Sequence, residues 1–296
     1  MNQDQCPLCN STANHKLFAT NGYDMLACDN CELMFISPFP QSEKQRFQQV
    51  AANKLADITV IDPEHYSIAR EIYYQELFPL VKPAFQKAKS LLDIGCGTGH
   101  LLTLAKQCGI KQCDGLELNT ARATYAREHT GCDIIEKPIE EFQTDKKYDV
   151  ITLIDVLSHI YSYDKLFVAV KSLLNANGLF VIKTGQFAAG VQRGSVFDWE
   201  VPDHLHFMGM ATSDYIAKKY GLEIISQEQV AHADELYTRE RFLTKGRSCK
   251  RNLIKAILAY TPFAIKLLKW QYLQKHGRNV FSTVIVLQNK KDNQRI

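Results

Sequence analysis

Four cysteines and a glycine-rich turn are the residues of this chain whose types and spacing point most directly to chemistry. Cys6-Pro-Leu-Cys9 and Cys28-Asp-Asn-Cys31 together read Cys-x2-Cys-x18-Cys-x2-Cys. That is the spacing of a four-thiolate zinc site, in which each pair makes a tight knuckle and two knuckles complete a tetrahedral shell. With no open ligand position the ion would be structural, and its binding would be coupled to folding of a segment too short to build its own core. A redox dithiol would need a strand–helix setting that the surrounding residues do not provide.

The second feature is Asp93-Ile-Gly-Cys-Gly-Thr-Gly99, directly after the apolar run Ser90–Ile94. Glycines at 95, 97 and 99 let backbone approach a ligand, and the helix that follows aims its first N–H groups at the same space. The spacing is Gly-x-Gly-x-Gly, a departure from the Gly-x-Gly-x-x-Gly of dinucleotide sites that counts against NAD and FAD. Glu117 lies eighteen residues after Gly99, at the end of the next expected strand. A carboxylate there offers two coplanar acceptor oxygens to the two hydroxyls of a ribose. Asp93 has a second possible role, holding the amides of the turn itself.

These residues need elements to position them. Apolar residues at helical spacing from Glu64 to Lys87 predict a helix that Pro79 and Pro83 break near its end. Strands are expected at Ser90–Ile94, Cys113–Glu117, Cys132–Ile135, Tyr148–Ile154 and Leu179–Lys183, with helices at His100–Cys108, Asn119–His129 and through Leu174. A helix at Ser213–Tyr220, a strand at Leu222–Ser226 and a last strand at Val280–Leu287 complete the series. This alternation predicts an α/β fold with a mostly parallel sheet covered on both faces. The expected organisation is an irregular zinc-binding module at 1–40 and a polar helical connector at 41–63. A main domain at 64–232 and a basic helical insertion at 233–279 follow, before the final strand and tail at 280–296. Thr261-Pro262 is placed to start a fresh helix inside the insertion.

Taken together, Leu92–Gly99, Gly115-Leu-Glu-Leu118, Tyr148–Ile160, Leu173–Ile182 and His204-Leu-His-Phe207 resemble the class I S-adenosylmethionine (SAM)-dependent methyltransferases. The resemblance covers roughly residues 65–232 and the last strand. It implies a Rossmann-like seven-stranded sheet whose last strand is antiparallel and inserted beside the fifth. It further implies that Asp93, Gly95, Cys96, Gly97 and Gly99 line the methionine part of SAM and that Glu117 holds the ribose. Ile139 would flank the adenine, with Asp155 or Val156 closing the pocket and Leu118, beside Glu117, also in contact with the cofactor. The quartet followed by Leu33-Met-Phe-Ile-Ser-Pro38 is similar to methyltransferases of sugar and polysaccharide pathways, among them sugar C-methyltransferases. That likeness implies a small-molecule acceptor, such as a nucleotide-linked sugar.

Where the acceptor must lose a proton, His159, His204 and His206 are the candidate bases, each with a packing role as its alternative. Asp198, Glu200 and Asp203 are candidates for acceptor hydroxyls. A related group of methyltransferases carries Glu-His where this chain has Ser158-His159, so a catalytic metal is not expected.

Charge narrows the partners. Between Arg239 and Arg278 there are eleven Lys or Arg against the single acid Glu240, although the whole chain carries only +3. Apolar residues interleave with lysines from 253 to 275, as in a basic amphipathic stretch that contacts an anionic membrane surface. The alternatives are a helical pair packed on the core and a cradle for a nucleotide diphosphate. Residues 1–40 hold Asp4, Asp24, Asp29 and Glu32 against Lys16 alone, which counts against nucleic acid as the partner of the cysteine module. A nucleic-acid methyltransferase and a noncatalytic scaffold are the rival functions. The polar start and the scattered remaining cysteines suggest a cytoplasmic protein.

Overall fold

The computed structural model describes residues 4–40, 42, 63–191, 201–231, 261–276 and 279–289. In chain order the elements are β1 (Asn14–Thr20), β2 (Tyr23–Cys28), β3 (Met34–Ser37), α1 (Pro63–Phe85), β4 (Ser90–Ile94) and α2 (His100–Gln107). Next come β5 (Gln112–Leu116), α3 (Thr120–Thr130), β6 (Asp133–Ile135), β7 (Tyr148–Ile154), α4 (Tyr163–Leu173) and β8 (Leu174–Phe187). The chain continues with β9 (His206–Gly209), α5 (Thr212–Tyr220), β10 (Leu222–Ala231), α6 (Pro262–His276) and β11 (Val280–Asn289).

The central strands lie in the order β6-β5-β4-β7-β8-β11-β10. Neighbours from β6 to β8 are parallel, while β11 runs antiparallel between β8 and β10. This is the seven-stranded α/β arrangement that the resemblance implies. β4 is buried along its whole length and β7 at every position but Asp149, as strands covered on both faces must be. On one face Leu91, Val150, Val181 and Val284 pack with Leu77 and Val81 of α1 and Leu101 of α2. On the other, Ile151, Phe180 and Ile182 pack with Phe167 of α4 and with Leu33 and Phe35 of the N-terminal segment.

Three expectations are corrected. The described residues of the segment expected to be irregular, 4–40, are not so: β1, β2 and β3 form an antiparallel meander that joins the main sheet, because β3 pairs with β9 and β9 with the end of β8. α1 does not break at Pro79 or Pro83. Leu77, Val81 and Phe85 bury one face of its last turns, while both prolines lie on the exposed face, where backbone groups that lose a partner meet water. Finally, α4 ends at Leu173 and β8 already begins at Leu174, with a register shift opposite β7 that takes up Asn175–Gly178. Of the expected connector at 41–63 only Ser42 and Pro63 are described, and residues 233–260 of the insertion lie outside the described residues. The predicted helix start at Pro262 is present.

Candidate functional site

The glycine turn joins β4 to α2 at the carboxyl edge of the parallel strands, where open α/β sheets bind ligands. Gly95, Gly97 and Gly99 all have positive φ, at 74°, 55° and 84°, a region that L side chains occupy only at a cost. A Cβ at Gly95 would fall 2.4 Å from Val156 Cγ2, and one at Gly99 2.5 Å from Thr130 Cγ2. At these two positions it is therefore the protein, and not a ligand, that first excludes a side chain. Gly97 is different: a Cβ there would only reach van der Waals distance of the Tyr66 ring, at 3.5 Å.

The turn is braced from β5. The amides of Gly95 and Cys96 donate to Leu116 O, and Gly97 N donates to Glu117 Oε2 at 2.9 Å. Glu117 Oε1 accepts from Asn119 N at 2.8 Å. Asp93 does not hold the turn's amides. Its Oδ1 accepts from Thr152 Oγ1 at 2.6 Å, and its carboxyl is 1% exposed. Burial, with the nearby Glu117 charge, pushes its pKa up to about 7 against the Thr152 bond. Inside the turn, Thr98 Oγ1 is buried without a hydrogen-bond partner. Leu118 is 56% exposed beside Glu117, while Ile139 is buried at the start of a short 3-10 turn.

Asp155 follows β7 with φ 57° and is fully engaged. Its carboxylate accepts from Lys183 Nζ at 2.7 Å and Tyr73 OH at 2.6 Å, with Arg70 Nη1 at 3.5 Å. Burial alone would raise its pKa, but the Lys183 and Arg70 charges overcome that and hold it at about 2.

The three histidines separate. His159 Nδ1 lies 3.1 Å from Asp203 O, so Nδ1 donates to that carbonyl and Nε2 is the nitrogen left to face a partner. The His204 ring lies 4.6 Å from the His159 ring, tilted against it. His206 is 0% exposed, takes a hydrogen bond at Nδ1 from Tyr163 OH at 2.9 Å, and donates from Nε2 to Ile160 O at 2.9 Å. With both nitrogens satisfied and no exposed surface it is a packing residue, and the expectation of a base there is corrected. Asp198 and Glu200 lie outside the described residues.

The cysteine quartet converges, with all four Sγ atoms within 4.8 Å of one another. Cys6 Sγ and Cys31 Sγ are 3.6 Å apart, and Cys9 Sγ and Cys28 Sγ 3.4 Å. A tetrahedron with Zn–S bonds of about 2.3 Å has edges of about 3.8 Å, so these thiols fit the ion. The Cys31 hydrogen bond lowers the Cys6 thiol to about 6 against the effect of burial.

Residues 64–227, more than half of the chain, match a family model described as a methyltransferase domain. The chain belongs to the class I SAM-dependent methyltransferases. One relative is a ubiquinone biosynthesis O-methyltransferase of Rickettsia felis, 32% identical over 98 residues, which cover 32% of this chain and 40% of the relative. The match thus spans less than half of that relative's length. Among solved structures, the O-methyltransferase of a trans-AT PKS multienzyme of Brevibacillus brevis, in complex with S-adenosyl-L-homocysteine, superposes with a TM-score of 0.50. It is 18% identical, over 79% of each chain. The cyclopropane synthase MmaA2 of Mycobacterium tuberculosis gives 0.52 at 13% identity, over 71% of this chain and 83% of the other. At such identities the likeness is one of fold.

The methyltransferase fold also assembles residues that had no expected part in the site. Tyr66 roofs Gly97, with the Arg122 guanidinium 4.2 Å from its ring centroid. Arg70 and Tyr73 reach Asp155, and His100 Nε2 lies 3.0 Å from Ser67 Oγ. Tyr66, Arg70 and Tyr73 stand at i, i+4 and i+7 of α1, a polar–aromatic stripe at helical spacing that could have marked this face. Lys183, by contrast, sits in the middle of a buried strand and gave no signal of an ion pair.

Proposed function

We propose that this chain transfers a methyl group from SAM to a small-molecule acceptor. The observation that carries the reading is the preformed glycine turn under Tyr66, braced by Glu117, within the matched methyltransferase domain. The orphaned Thr98 hydroxyl and the exposed Leu118 fit a ligand lying along this edge. In this reading Asp93 and Gly95–Gly99 line the methionine end, Glu117 takes the ribose hydroxyls with its remaining lone pairs, and Leu118 and Ile139 enclose the adenine. Val156 shapes the turn by packing on Gly95. Asp155 acts through Arg70 and Tyr73, tying α1 down over the site.

Bound SAM would supply a methyl already activated by its sulfonium, so the protein's task is alignment. His159 presents Nε2 as a proton acceptor oriented by the Asp203 carbonyl, with His204 beside it, for an acceptor hydroxyl that must lose its proton. Oxygen as the methylated atom is the finer reading, supported by the names of the curated relatives. A nucleotide-linked sugar is a second reading, supported by the likeness of the cysteine module. Cys6, Cys9, Cys28 and Cys31 would hold a structural Zn2+, which cross-links the loop before β1 to the end of β2 and the turn after it.

Isothermal titration tests the reading. Saturable binding of SAM, displaced by S-adenosylhomocysteine, is the expected result. Absence of binding by the zinc-loaded chain would overturn it. Salt-dependent RNA or DNA binding at low ionic strength would favour a nucleic-acid acceptor instead.

A further inference from the structure

α6 interleaves apolar residues with Lys266, Lys269, Gln271 and Gln274 around its whole circumference, and none of its described side chains is buried. Ile265, Leu268, Tyr272 and Leu273 are half-buried. Phe263, Leu267 and Trp270 are 78%, 43% and 54% exposed. They stand at i, i+4 and i+7, one stripe down the outer face, with Lys266 exposed between them. A contiguous stripe of large apolar side chains left exposed marks an interaction surface. No helix among the described residues is long and apolar enough to cross a membrane, so lipid could cover this one only from its side.

Charge selects the occupant. The stretch 239–278 holds eleven Lys or Arg and one acid. α6 itself carries Lys266, Lys269 and Lys275 and no acid, so a second copy laid against it would bring like charges together. An anionic bilayer offers both the apolar phase and the countercharge, and a Trp and a Phe beside lysine stems suit the headgroup boundary.

We propose that α6 docks the protein on the surface of an anionic lipid bilayer, with Phe263, Leu267 and Trp270 entering the headgroup region. Topology gives the docking an orientation. β11 begins at Val280, opposite Phe187 at the carboxyl end of β8, so α6 ends at the same edge of the sheet that carries the glycine turn. A bilayer held there faces the site proposed for methyl transfer. The docking itself does not depend on that reading.

The experiment is co-sedimentation of the full zinc-loaded chain with vesicles of phosphatidylcholine alone or with about 30% phosphatidylglycerol, at about 0.05 M and about 0.5 M salt. The expected result is partition onto the anionic vesicles that falls at high salt. It should weaken about tenfold or more in the triple variant Phe263→Ser/Leu267→Ser/Trp270→Ser and be reduced in Lys266→Glu. Far-UV circular dichroism and SAM titration of the triple variant establish that it is folded. No partition onto anionic vesicles, or equal partition by the triple variant, would overturn the proposal. So would concentration-dependent self-association of the wild type without lipid that the triple variant loses, since the face would then belong to a second copy.

Discussion

The glycine turn and the cysteine quartet are both short loops at strand ends, but they are held in opposite ways. The turn is held by its neighbours in the fold: Leu116 O and Glu117 take three of its amides, and Val156 and Thr130 press on its glycines. The quartet gathers four polar sulfurs into a largely buried cluster in which the sulfurs meet through weak thiol hydrogen bonds. A site shaped by packing is ready before its ligand arrives, whereas a cluster of thiols gains its main cross-link only when a cation replaces the protons.

The largest effect should therefore come from the quartet. Cys28→Ser, or removal of metal with a strong chelator, is expected to abolish binding of about one zinc per chain and to unfold β1–β3, given the roughly 10–16 kcal/mol that structural zinc contributes in small modules. Metal analysis and hydrogen exchange over residues 4–40 would check this. If those amides stay protected without metal, the contrast between the two loops collapses.

Next is Gly95→Ala, which combines a left-handed backbone with a Cβ only 2.4 Å from Val156. A loss of about 2–5 kcal/mol is expected in chemical denaturation. Pairing it with Val156→Ala should recover part of that loss, and no recovery would mean that the backbone alone sets the cost.

Asp93 gives the turn a pH signature. Its folded pKa, about 7, is raised above the ordinary 3.8. The folded state therefore retains a proton that the unfolded state has lost. The stabilisation is fully present below about pH 4 and is lost as pH rises through about 7. Asp93→Asn, which still accepts from Thr152, should match the wild type near pH 4 and exceed it near pH 8 by on the order of 2–4 kcal/mol. Melting curves across that range decide it, and parallel curves would show that Asp93 is ionised at ordinary cost.

The smallest effect is at Glu117. Its loss to Ala should weaken SAM binding by about 1–3 kcal/mol in titration calorimetry. Glu117→Gln, with one acceptor oxygen left, should fall between. Unchanged affinity in both would confine Glu117 to bracing Gly97.

Much of this was legible in the sequence because it is periodic or depends on spacing. Alternating apolar runs and glycine stops place the strands, and the cysteine knuckles declare themselves by count. What escaped is long-range. Pro79 and Pro83 read as breakers, yet they fall on the exposed face of a helix held by Leu77, Val81 and Phe85. His206 looks like a base in a His-x-His pair until Tyr163 and the Ile160 carbonyl, more than forty residues earlier in the chain, occupy both of its nitrogens. Asp155 reads as a pocket wall, but Lys183 and Tyr73 from two other elements claim its oxygens.

By itself the sequence determined the class of fold, the position of the glycine turn and the membership of the thiol cluster, since each follows from residue type at local spacing. Only the tertiary structure decided which polar groups are already spent on one another and which are left to meet a ligand. It alone decided, too, that β3 and β9 make the cysteine module part of the methyltransferase sheet. The physical reason is that burial and hydrogen-bond partnership are properties of distant segments brought together, and a strand edge is satisfied by whichever segment the fold delivers to it.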